Sequence, residues 1–583
     1  MAESGFTEEQ KQYLQGFLAG LANLRPAGAG AVREGSPEAI HSAAQDRFIA
    51  AGRKLVAEEE AKRAKDPFAM WDEIGANAAA DRFPKGTDIF LHKFHGLFYV
   101  APAQNAFMCR LRFPAGIVTA RQLAGLADIA ERLAGGYADI TTRANLQLRE
   151  IPARNAQDLL IAIDELGLTS RGAGADNIRN VTASPTAGID RQELIDTRPL
   201  ARALHHYILN HRELYGLPRK FNIAFDGGGS VSVLEDTNDI GFAAVALDEG
   251  HGVPPGIYFR VLLGGITGHG DFARDSGLLL TPEQCVPVAV ALVRVFIDHG
   301  DRTDRKKARL KYLLDQWGIE KYLAEAAKHL AFQPQHLAPT ECRPRPPAAK
   351  HGHIGVHAQR QPGLNFIGVA VPVGRLGAAQ MRGLAAVAER FGSGTLRLTV
   401  WQNLLISDVP DADLAAAGAA IAALGLGISA SAIRGALVAC TGNTGCKFAL
   451  GNTKRHALEL ADHLEARLAL DQPITIHLTG CPHSCAQHLV ADIGLLATKV
   501  EIGDELVEGY NVCVGGAGGA EPRIGREIYP AVPFAEVPRQ VERLLGAYLA
   551  HRVSPAESFG AFANRHALDE LKRLCETAVS QAA

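Results

Sequence analysis

The strongest constraint on the fold of this chain is an internal repeat. Shifted by 258 positions, residues 113–168 align with residues 371–426 without a gap, and GLADIAER at 125–132 meets GLAAVAER at 383–390. The same register brings Pro-x-Gly turns, Asn–Leu pairs and Leu–Gly–Leu segments together. Chance similarity between amphipathic helices does not hold one register through several turns, so the chain contains a duplicated structural unit.

Each copy alternates strand-like and helix-like segments. In the first copy the strand, helix, extended and helical patterns fall at residues 107–113, 119–133, 137–151 and 155–166. A second, weaker similarity between the halves follows, because FRVLLGG at 259–265 resembles YNVCVGG at 510–516. These patterns predict an A–B–A′–B′ plan, whose halves are joined by the Pro-, Arg- and His-rich linker Pro334–His353.

The composition is that of a globular protein. The 583 residues suggest about three or four domains, and the formal charge of −3 gives no reason to expect nucleic acid or an anionic membrane as a partner. Residues 7–24 and 38–65 are predicted helices, the N-terminus has no signal-peptide pattern, and the apolar segment 286–297 is too short to span a bilayer. Nine cysteines are too few for a disulfide scaffold, so we expect a cytoplasmic protein.

Four cysteines form the most chemically specific pattern, as the pairs Cys440-x5-Cys446 and Cys481-x3-Cys485. Four thiolates in two tight pairs can hold an iron–sulfur cluster or a zinc ion. Structural zinc sites usually use C-x2-4-C pairs, so the wider first spacing favours a cluster. Four buried cysteines without a metal are the third interpretation of the spacing.

Small residues surround the cysteine pairs. Gly442, Gly445 and Gly480 allow the backbone to fold closely around a bound group. Pro482 suits the first turn of a helix, which would place Cys485 near a helix N-terminus, where backbone N–H groups favour a thiolate.

Cations are concentrated at predicted strand ends and loops of the first half. They are Arg110, Arg112, Arg143, Arg149, Arg179, Arg219, Lys220, Arg305, Lys306, Lys307, Arg309 and Lys311. Strand alternation places Arg110 and Arg112 on one face. A single arginine is usually a solvated or salt-bridged surface residue. Several on half-buried strands call for an anionic partner, because an uncompensated buried cation is costly.

The two copies differ where chemistry is expected. Trp401 stands in the second copy at the position of Arg143 in the first. The first copy is followed by ADNIRN, which contains Arg179, and the second copy by the cysteine pairs. One half therefore offers cations and the other offers thiolates, and a site at their pseudo-twofold junction would use both.

These motifs resemble those of the siroheme-containing nitrite and sulfite reductases. TGCP and ADIG flank the second cysteine pair, and the first half carries, in the family's order, FMCRLRFPAG, ADITTRANLQLR, DNIRN, TAGID, DTRP, LPRKFN and VLLGG. The resemblance covers roughly residues 70–550. It implies an α+β, internally duplicated fold, in which two ferredoxin-like half-domains form one pseudo-twofold domain beside two related α/β cofactor domains.

The resemblance and the repeat together divide the chain into six segments. In order they are an N-terminal helical region at 1–66, a first half-domain at 67–190, a first siroheme-binding domain at 191–335, a linker at 336–353, a second half-domain at 354–430, and an iron–sulfur/siroheme domain with C-terminal helices at 431–583.

The resemblance also implies two cofactors, a [4Fe–4S] cluster and siroheme. The cluster ligands would be Cys440, Cys446, Cys481 and Cys485, and Cys485 would also bridge to the siroheme iron. The residues implied to bind siroheme are Cys485, Arg143, Arg309, Thr142 and Arg112. Those implied to face the substrate are Arg110, Arg179, Lys220 and Asn222.

One residue separates the two substrates of the family. Sulfite reductases of the family typically read RKFK, whereas this chain reads RKFN, as nitrite reductases typically do. Lys220 and Asn222 share a strand face. Sulfite is largely a dianion near neutral pH and benefits from a second lysine, while nitrite is a monoanion. The resemblance therefore implies the six-electron reduction of nitrite to ammonia, as in nitrate assimilation.

Three other functions are compatible with the same residues. They are sulfite reduction to sulfide, a precorrin-3B synthase-like oxygenase of the cobalamin pathway, and a zinc-stabilised binding protein. No strand–GxGxxG–helix motif is present, so electrons must come from outside the chain. The resemblance implies a ferredoxin-like donor acting on a monomer, and a separate NAD(P)H-using subunit is the alternative.

Overall fold

The computed structural model describes residues 36–519 and 521–581, which form four sheets and the helices around them. The α-helices are Ala39–Ala50, Ala57–Ala64, Trp71–Ala79, Asp88–Leu91, Ala120–Leu133, Ala156–Glu165, Arg198–Asn210, Pro282–His299, Leu310–Trp317, Ile319–Ala327, Ala378–Phe391, Leu414–Ala423, Thr453–Glu465, Val537–His551, Phe559–Arg565 and Leu568–Gln581. Within these described ranges no helix is long and apolar enough to cross a membrane.

Two of the sheets contain the duplicated unit. Sheet I runs in the order Leu97–Tyr99, Phe107–Arg110, Asn145–Ile151, Tyr137–Thr141 and Arg375–Gly377. Sheet II runs in the order Gly355–Ala358, Leu364–Val369, Leu404–Pro410, Thr395–Leu398 and Ile117–Thr119. The last strand of each sheet comes from the other copy, and it pairs antiparallel with its neighbour. Each copy therefore completes the sheet of the other.

The predicted repeat is confirmed in detail. Helix Ala378–Phe391 begins and ends 258 residues after helix Ala120–Leu133, and the two helices pack against each other. The tight turns before them also correspond, with positive φ at Ala115 (57°) and at Val373 (45°). One hydrophobic core contains residues of both copies. The duplicated fold with its pseudo-twofold axis is thus observed.

The matching topology of sheets III and IV confirms the similarity between FRVLLGG and YNVCVGG. Sheet III runs Ile178–Ala183, Phe221–Asp226, Ile240–Leu247, Gly256–Leu263, Arg274–Leu280 and Gln335–His336. Sheet IV runs Leu437–Ala439, Ile476–Thr479, Ile493–Ile502, Glu505–Val514 and Arg526–Pro533. In both sheets three parallel strands are followed by antiparallel ones. FRVLLGG and YNVCVGG lie on the fourth strand of their respective sheets.

Of three sequence predictions of local structure, two need correction and one is not tested. The helix expected over 38–65 is two helices, Ala39–Ala50 and Ala57–Ala64, separated by a turn and an extended segment. The helix expected over 7–24 lies outside the described residues. The strand expected over 107–113 ends at Arg110, and beyond it Arg112 forms an isolated antiparallel bridge with Thr169.

The sheets meet at one junction. The turn of the sheet I hairpin touches the second cysteine pair, where Thr142 Oγ1 donates to the carbonyl of Cys485 at 2.9 Å. Sheet III reaches the same loop, because Gln487 Nε2 donates to Thr237 Oγ1 at 2.9 Å. The cysteine loop therefore lies between the first copy and the strand ends of sheet III.

Candidate active site

The two cysteine pairs follow neighbouring parallel strands of sheet IV. Cys440 comes directly after Leu437–Ala439, and one residue, Gly480, separates Cys481 from Ile476–Thr479. Parallel strands end at the same edge of a sheet, which brings the two loops side by side. The backbone N–H of Gly480 accordingly donates to Cys440 Sγ at 3.1 Å.

All four predicted ligands lie within electrostatic reach of one another. The pKa of the Cys481 thiol is raised to about 12, chiefly by burial and further by the charges of Cys485, Cys446 and Cys440. All of these cysteines are free of disulfides. Four thiolates held this close need positive charge between them, which the iron ions of a cluster supply.

The arrangement does not suit a single metal ion. Zinc requires its sulfur ligands at about 2.3 Å. Among residues 36–519 and 521–581, no three His, Cys, Asp or Glu side chains come close enough together to hold one ion. Among the described residues the four cysteines therefore do not form a single-ion site, which disfavours the zinc interpretation.

The glycines of the cysteine loops are required for close packing. A Cβ on Gly480 would lie 2.6 Å from the Cβ of Ala449 and 3.4 Å from Cys440 Sγ. Gly442 has φ of +74°, and a Cβ there would lie 2.8 Å from the backbone nitrogen of Thr453. The expectation that these glycines let the backbone approach closely is confirmed.

Cys485 is exposed and lies in a turn, so the predicted helix start at Pro482 is wrong. Ser484 and Gln487 have φ of +51° and +55°, and left-handed residues on both sides prevent a helical run. Only the three-residue 3-10 turn His488–Val490 follows. Cys485 is instead fixed from outside, by the hydroxyl of Thr142 on its carbonyl.

Arg110 and Arg179 form the first pair of predicted substrate cations. Nη1 of Arg179 donates to the carbonyl of Ala173 at 2.8 Å, and Nη1 of Arg110 reaches the same carbonyl at 3.4 Å. The pKa of Arg110 is lowered to about 10 by burial, against the opposing effect of Cys485. The pKa of Arg179 is lowered well below its usual value by burial and by Arg110.

Lys220 and Asn222 lie beside this pair. They flank Phe221, which pairs with Ile178 of the neighbouring strand, so Lys220 directly precedes the strand beside the one that carries Arg179. Burial and Arg309 lower the pKa of Lys220 to about 7. Lys220 Nζ and the Asn222 side-chain amide make no hydrogen bond within the described part of the chain, and Asn222 is 6% exposed. Both side chains are available to a bound molecule.

Arg143 and Arg309 are held by neighbouring residues of one loop. Nη1 of Arg143 donates to Asn238 Oδ1 at 2.6 Å. Arg309 forms a bidentate pair with Asp239, at 3.1 and 2.8 Å. The pKa of Arg143 is lowered to about 10 by burial and by the charge of Arg309. Arg309 therefore has an anionic partner within the chain, and Arg143 has only a neutral one.

Four of these cations are uncompensated. Within the described ranges, no carboxylate lies within ion-pair distance of Arg110, Arg143, Arg179 or Lys220. Cys485 opposes the lowering of the pKa of Arg110, Arg143 and Lys220, so the exposed thiol lies within reach of all three. Buried cations of this kind fit an anionic group with several carboxylates beside Cys485, as siroheme is.

The prediction that Arg112 binds siroheme needs correction. It is 1% exposed, and its guanidinium donates to the carbonyls of Arg171, Ile178 and Arg179. The strand ends at Arg110, so alternation no longer directs Arg112 to the face of Arg110. Arg112 binds backbone, and it holds the strand that carries Arg179 in place.

The prediction missed the residues that organise this site. Asp239 and Asn238 fix Arg309 and Arg143, and the repeat offered the signal, because NDIG at 238–241 matches the ADIG of 491–494. For Arg149 the sequence predicts only one cation among several. It is 3% exposed, pairs with Asp139 at 2.8 Å, and reaches the carbonyl of Gly445 at 3.4 Å.

Comparison with family models gives matches over most of the chain. A nitrite and sulphite reductase 4Fe–4S domain matches residues 174–333 and 430–582. A nitrite/sulfite reductase ferredoxin-like half domain matches residues 101–166 and 357–424. The two half-domain matches fall on the two copies of the repeat. The 4Fe–4S domain matches include both cysteine pairs, all strands of sheet IV and all strands of sheet III except Gln335–His336.

Similar proteins span nearly the same length. The chain is 36% identical to a ferredoxin–nitrite reductase of Synechococcus elongatus, over 88% of this chain and 98% of that protein. It is 33% identical to a chloroplastic ferredoxin–nitrite reductase of Zea mays, over 88% and 91%. The solved NirA protein of Mycobacterium tuberculosis superposes with a TM-score of 0.82 at 30% identity, over 90% of this chain and 98% of that one.

The packing around Gly480 gives a prediction about the cysteine site. Gly480→Ala should reduce the iron and acid-labile sulfide content to less than about half, because the added methyl group overlaps Ala449 and pushes on Cys440. Gly546→Ala is the control, since a Cβ on Gly546 meets nothing within 4 Å. Full iron content in the Gly480 variant would show that the cysteine loops are not closely packed around a bound cluster.

Proposed function

Because this chain belongs to the nitrite and sulfite reductase family, we propose that it reduces nitrite to ammonia with electrons from a ferredoxin-like carrier. It is an oxidoreductase with siroheme and a [4Fe–4S] cluster as cofactors. The balanced reaction takes nitrite, eight protons and six electrons to ammonium and two waters. When bound, the two cofactors supply one-electron transfer and an iron centre for the substrate.

The observation that supports this proposal best is the group of uncompensated cations around Cys485. Arg110, Arg179 and Lys220 come from three different segments and converge without a carboxylate partner. Small anions of the nitrite and sulfite type would neutralise them. We propose that Cys440, Cys446, Cys481 and Cys485 hold the cluster and that Cys485 also binds the siroheme iron.

The side chains have separable roles in this proposal. Arg110 and Arg179 would bind the oxygens of the substrate through their guanidinium groups. Lys220, with a pKa of about 7, can hold and release a proton near neutral pH. Arg143 would contact a siroheme carboxylate, while Arg309 would do so from its pair with Asp239. Thr142 would position the Cys485 loop.

Asn222 supports nitrite over sulfite. Its amide lies on the strand face of Lys220 and is neutral, so the pocket has one cation fewer than RKFK would give. The similar ferredoxin–nitrite reductases point to the same substrate. The direct test is a parallel assay of nitrite and sulfite with reduced viologen, in which nitrite should be reduced faster and yield one ammonium per six electrons.

The substrate choice gives a mutational prediction. Asn222→Lys should raise the ratio of sulfite to nitrite kcat/KM about tenfold, because the added cation favours the dianion. Asn222→Gln is the matched control, since it keeps the amide and adds no charge. An unchanged ratio in the lysine variant would remove Asn222 from the determinants of specificity.

The pKa of Lys220 gives a prediction of pH dependence. A lowered lysine pKa means that the cation is present below about pH 7 and is lost as the pH rises through that value. The kcat/KM for nitrite should therefore fall above about pH 7. Lys220→Arg should move this basic limb upward by more than about two units, because arginine stays charged. A Lys499→Arg control at an exposed site should leave the limb in place, and an unmoved limb in Lys220→Arg would contradict the assignment.

The entry point for electrons is proposed next to the first cysteine pair. Phe448 and Leu450 follow Cys446 and are 54% and 39% exposed, although both are large and apolar. Lys447 lies over the Phe448 ring at 5.4 Å, and that ring makes an edge contact with His483 at 5.1 Å. An exposed apolar surface with a cation at the cluster edge suits a small electron carrier with acidic groups.

This surface predicts a donor-specific defect. Phe448→Ser should raise the KM for reduced ferredoxin several-fold, because an apolar docking contact is lost, and should leave the rate with reduced viologen unchanged. Leu506→Ser is the control, because Leu506 is 66% exposed and lies away from this turn, on the strand Glu505–Val514. Equal loss with both donors would mean that Phe448 supports the cysteine loop and does not dock the carrier.

A further inference from the structure

Lys93 is a cation that neither the sequence patterns nor the proposed mechanism uses. It lies in the 3-10 turn His92–His95, just before the edge strand Leu97–Tyr99 of sheet I. It is half-buried, and within the described residues its Nζ makes no hydrogen bond and has no carboxylate within ion-pair distance. Its Nζ lies 5.9 Å from the centre of the Phe90 ring and 6.0 Å from the centre of the Phe98 ring.

The Phe98 ring connects Lys93 to the substrate cations. Cζ of Arg110 lies 4.6 Å from the centre of that ring, so the two cations share one aromatic side chain. Burial lowers the pKa of Lys93, and so do the charges of Lys447 and then Arg179, while Asp176 opposes them. Lys93 is thus within electrostatic reach of Arg179 and of the loop that carries Cys446.

The internal repeat provides a comparison within the same chain. The strand pairing gives the correspondence, because Leu97 pairs with Cys109 where Val356 pairs with Ile367. Lys93, four residues before Leu97, therefore corresponds to the uncharged Gly352, and Arg110 corresponds to Gly368. A Cβ on Gly368 would lie 1.9 Å from the carbonyl oxygen of His353, so the second copy has no room for a side chain there.

Cations therefore occur at these positions only in the copy that faces the cysteine loop. Arg110 and Arg143 follow this rule, since their counterparts are Gly368 and Trp401. Lys93 follows it as well. A lysine that is desolvated and unpaired is unfavourable unless an anion reaches it.

We propose that Lys93 is a further substrate-binding residue, which holds the entering anion at the rim of the site before Arg110 and Arg179 receive it. This inference rests on the proposed function, because it takes the substrate to be a small oxyanion. Lys93 acts through its charge on substrate binding and takes no part in proton or electron transfer.

The test compares Lys93→Met with wild type, both loaded with their cofactors. The Kd of nitrite for the oxidised protein, measured from the visible difference spectrum, should rise about five- to tenfold, and the KM for nitrite should rise similarly. The kcat at saturating nitrite should change less than about twofold, and the dependence of kcat/KM on ionic strength should become weaker. Lys93→Arg should retain the wild-type values.

Lys85→Met is the matched control, because Lys85 is exposed and lies nearby in sequence. An unchanged Kd in Lys93→Met, or a loss of siroheme or iron with unchanged nitrite affinity per loaded site, would overturn the proposal. Failure of the proposed function looks different, since the wild type itself would then neither bind nor reduce nitrite. If the wild type prefers sulfite, the same Kd comparison is made with sulfite and decides the role of Lys93.

Discussion

The structure depends on a set of buried cations that the chain itself does not neutralise. Arg110, Arg143, Arg179 and Lys220 come from strand ends and a hairpin turn that meet near Cys485, and each is half-buried. Burial is the largest cause that lowers the pKa of each of the four, so their charged forms are unfavourable in the absence of an anion. Hydrogen bonds to carbonyls such as that of Ala173 orient the guanidinium groups but do not cancel their charge. An anionic cofactor and an anionic substrate are the natural counterparts.

The exchange of strands explains how these cations and the thiolates reach one place. Ile117–Thr119 completes sheet II and Arg375–Gly377 completes sheet I, so neither copy can form its sheet alone. Arg375 from the second copy pairs with Asp139 of the first, and Asp139 also pairs with Arg149, which reaches the cysteine loop. The two copies are therefore joined by ion pairs as well as by strand pairing. A site that needs both halves depends on this junction, because the junction sets the distances between cations and thiolates.

The sequence predicted the structural features that depend on local residue spacing. It did not predict the features that depend on tertiary contacts. The sequence predicted the repeat, its helices and the similarity between the fourth strands of sheets III and IV, because each carries its own periodic pattern. The strand exchange was not, because nothing in Ile117–Thr119 indicates which sheet it joins. Arg112 was misassigned because alternation was extended past the end of its strand. The turn at Cys485 was missed because Ser484 and Gln487 adopt left-handed conformations that their residue types do not announce.

The second copy explains why the duplicated fold has one cationic site. Asp239 accepts the backbone N–H of Asn222 at 2.8 Å, and Asp492 accepts that of Thr475 at 2.7 Å in the matching place of sheet IV. The same scaffold is thus present twice.

The surroundings of these two carboxylates differ. Asp239 pairs with Arg309, whereas Asp492 pairs with Lys350 of the linker. The linker then continues through His353, which is 1% exposed and stacks on Trp401 at 5.9 Å. Where the first copy has the cation Arg143, the second copy has an indole ring packed against the linker. The duplication supplied two equivalent frameworks, and the packing of one of them with neutral rings confines the anion-binding chemistry to the other.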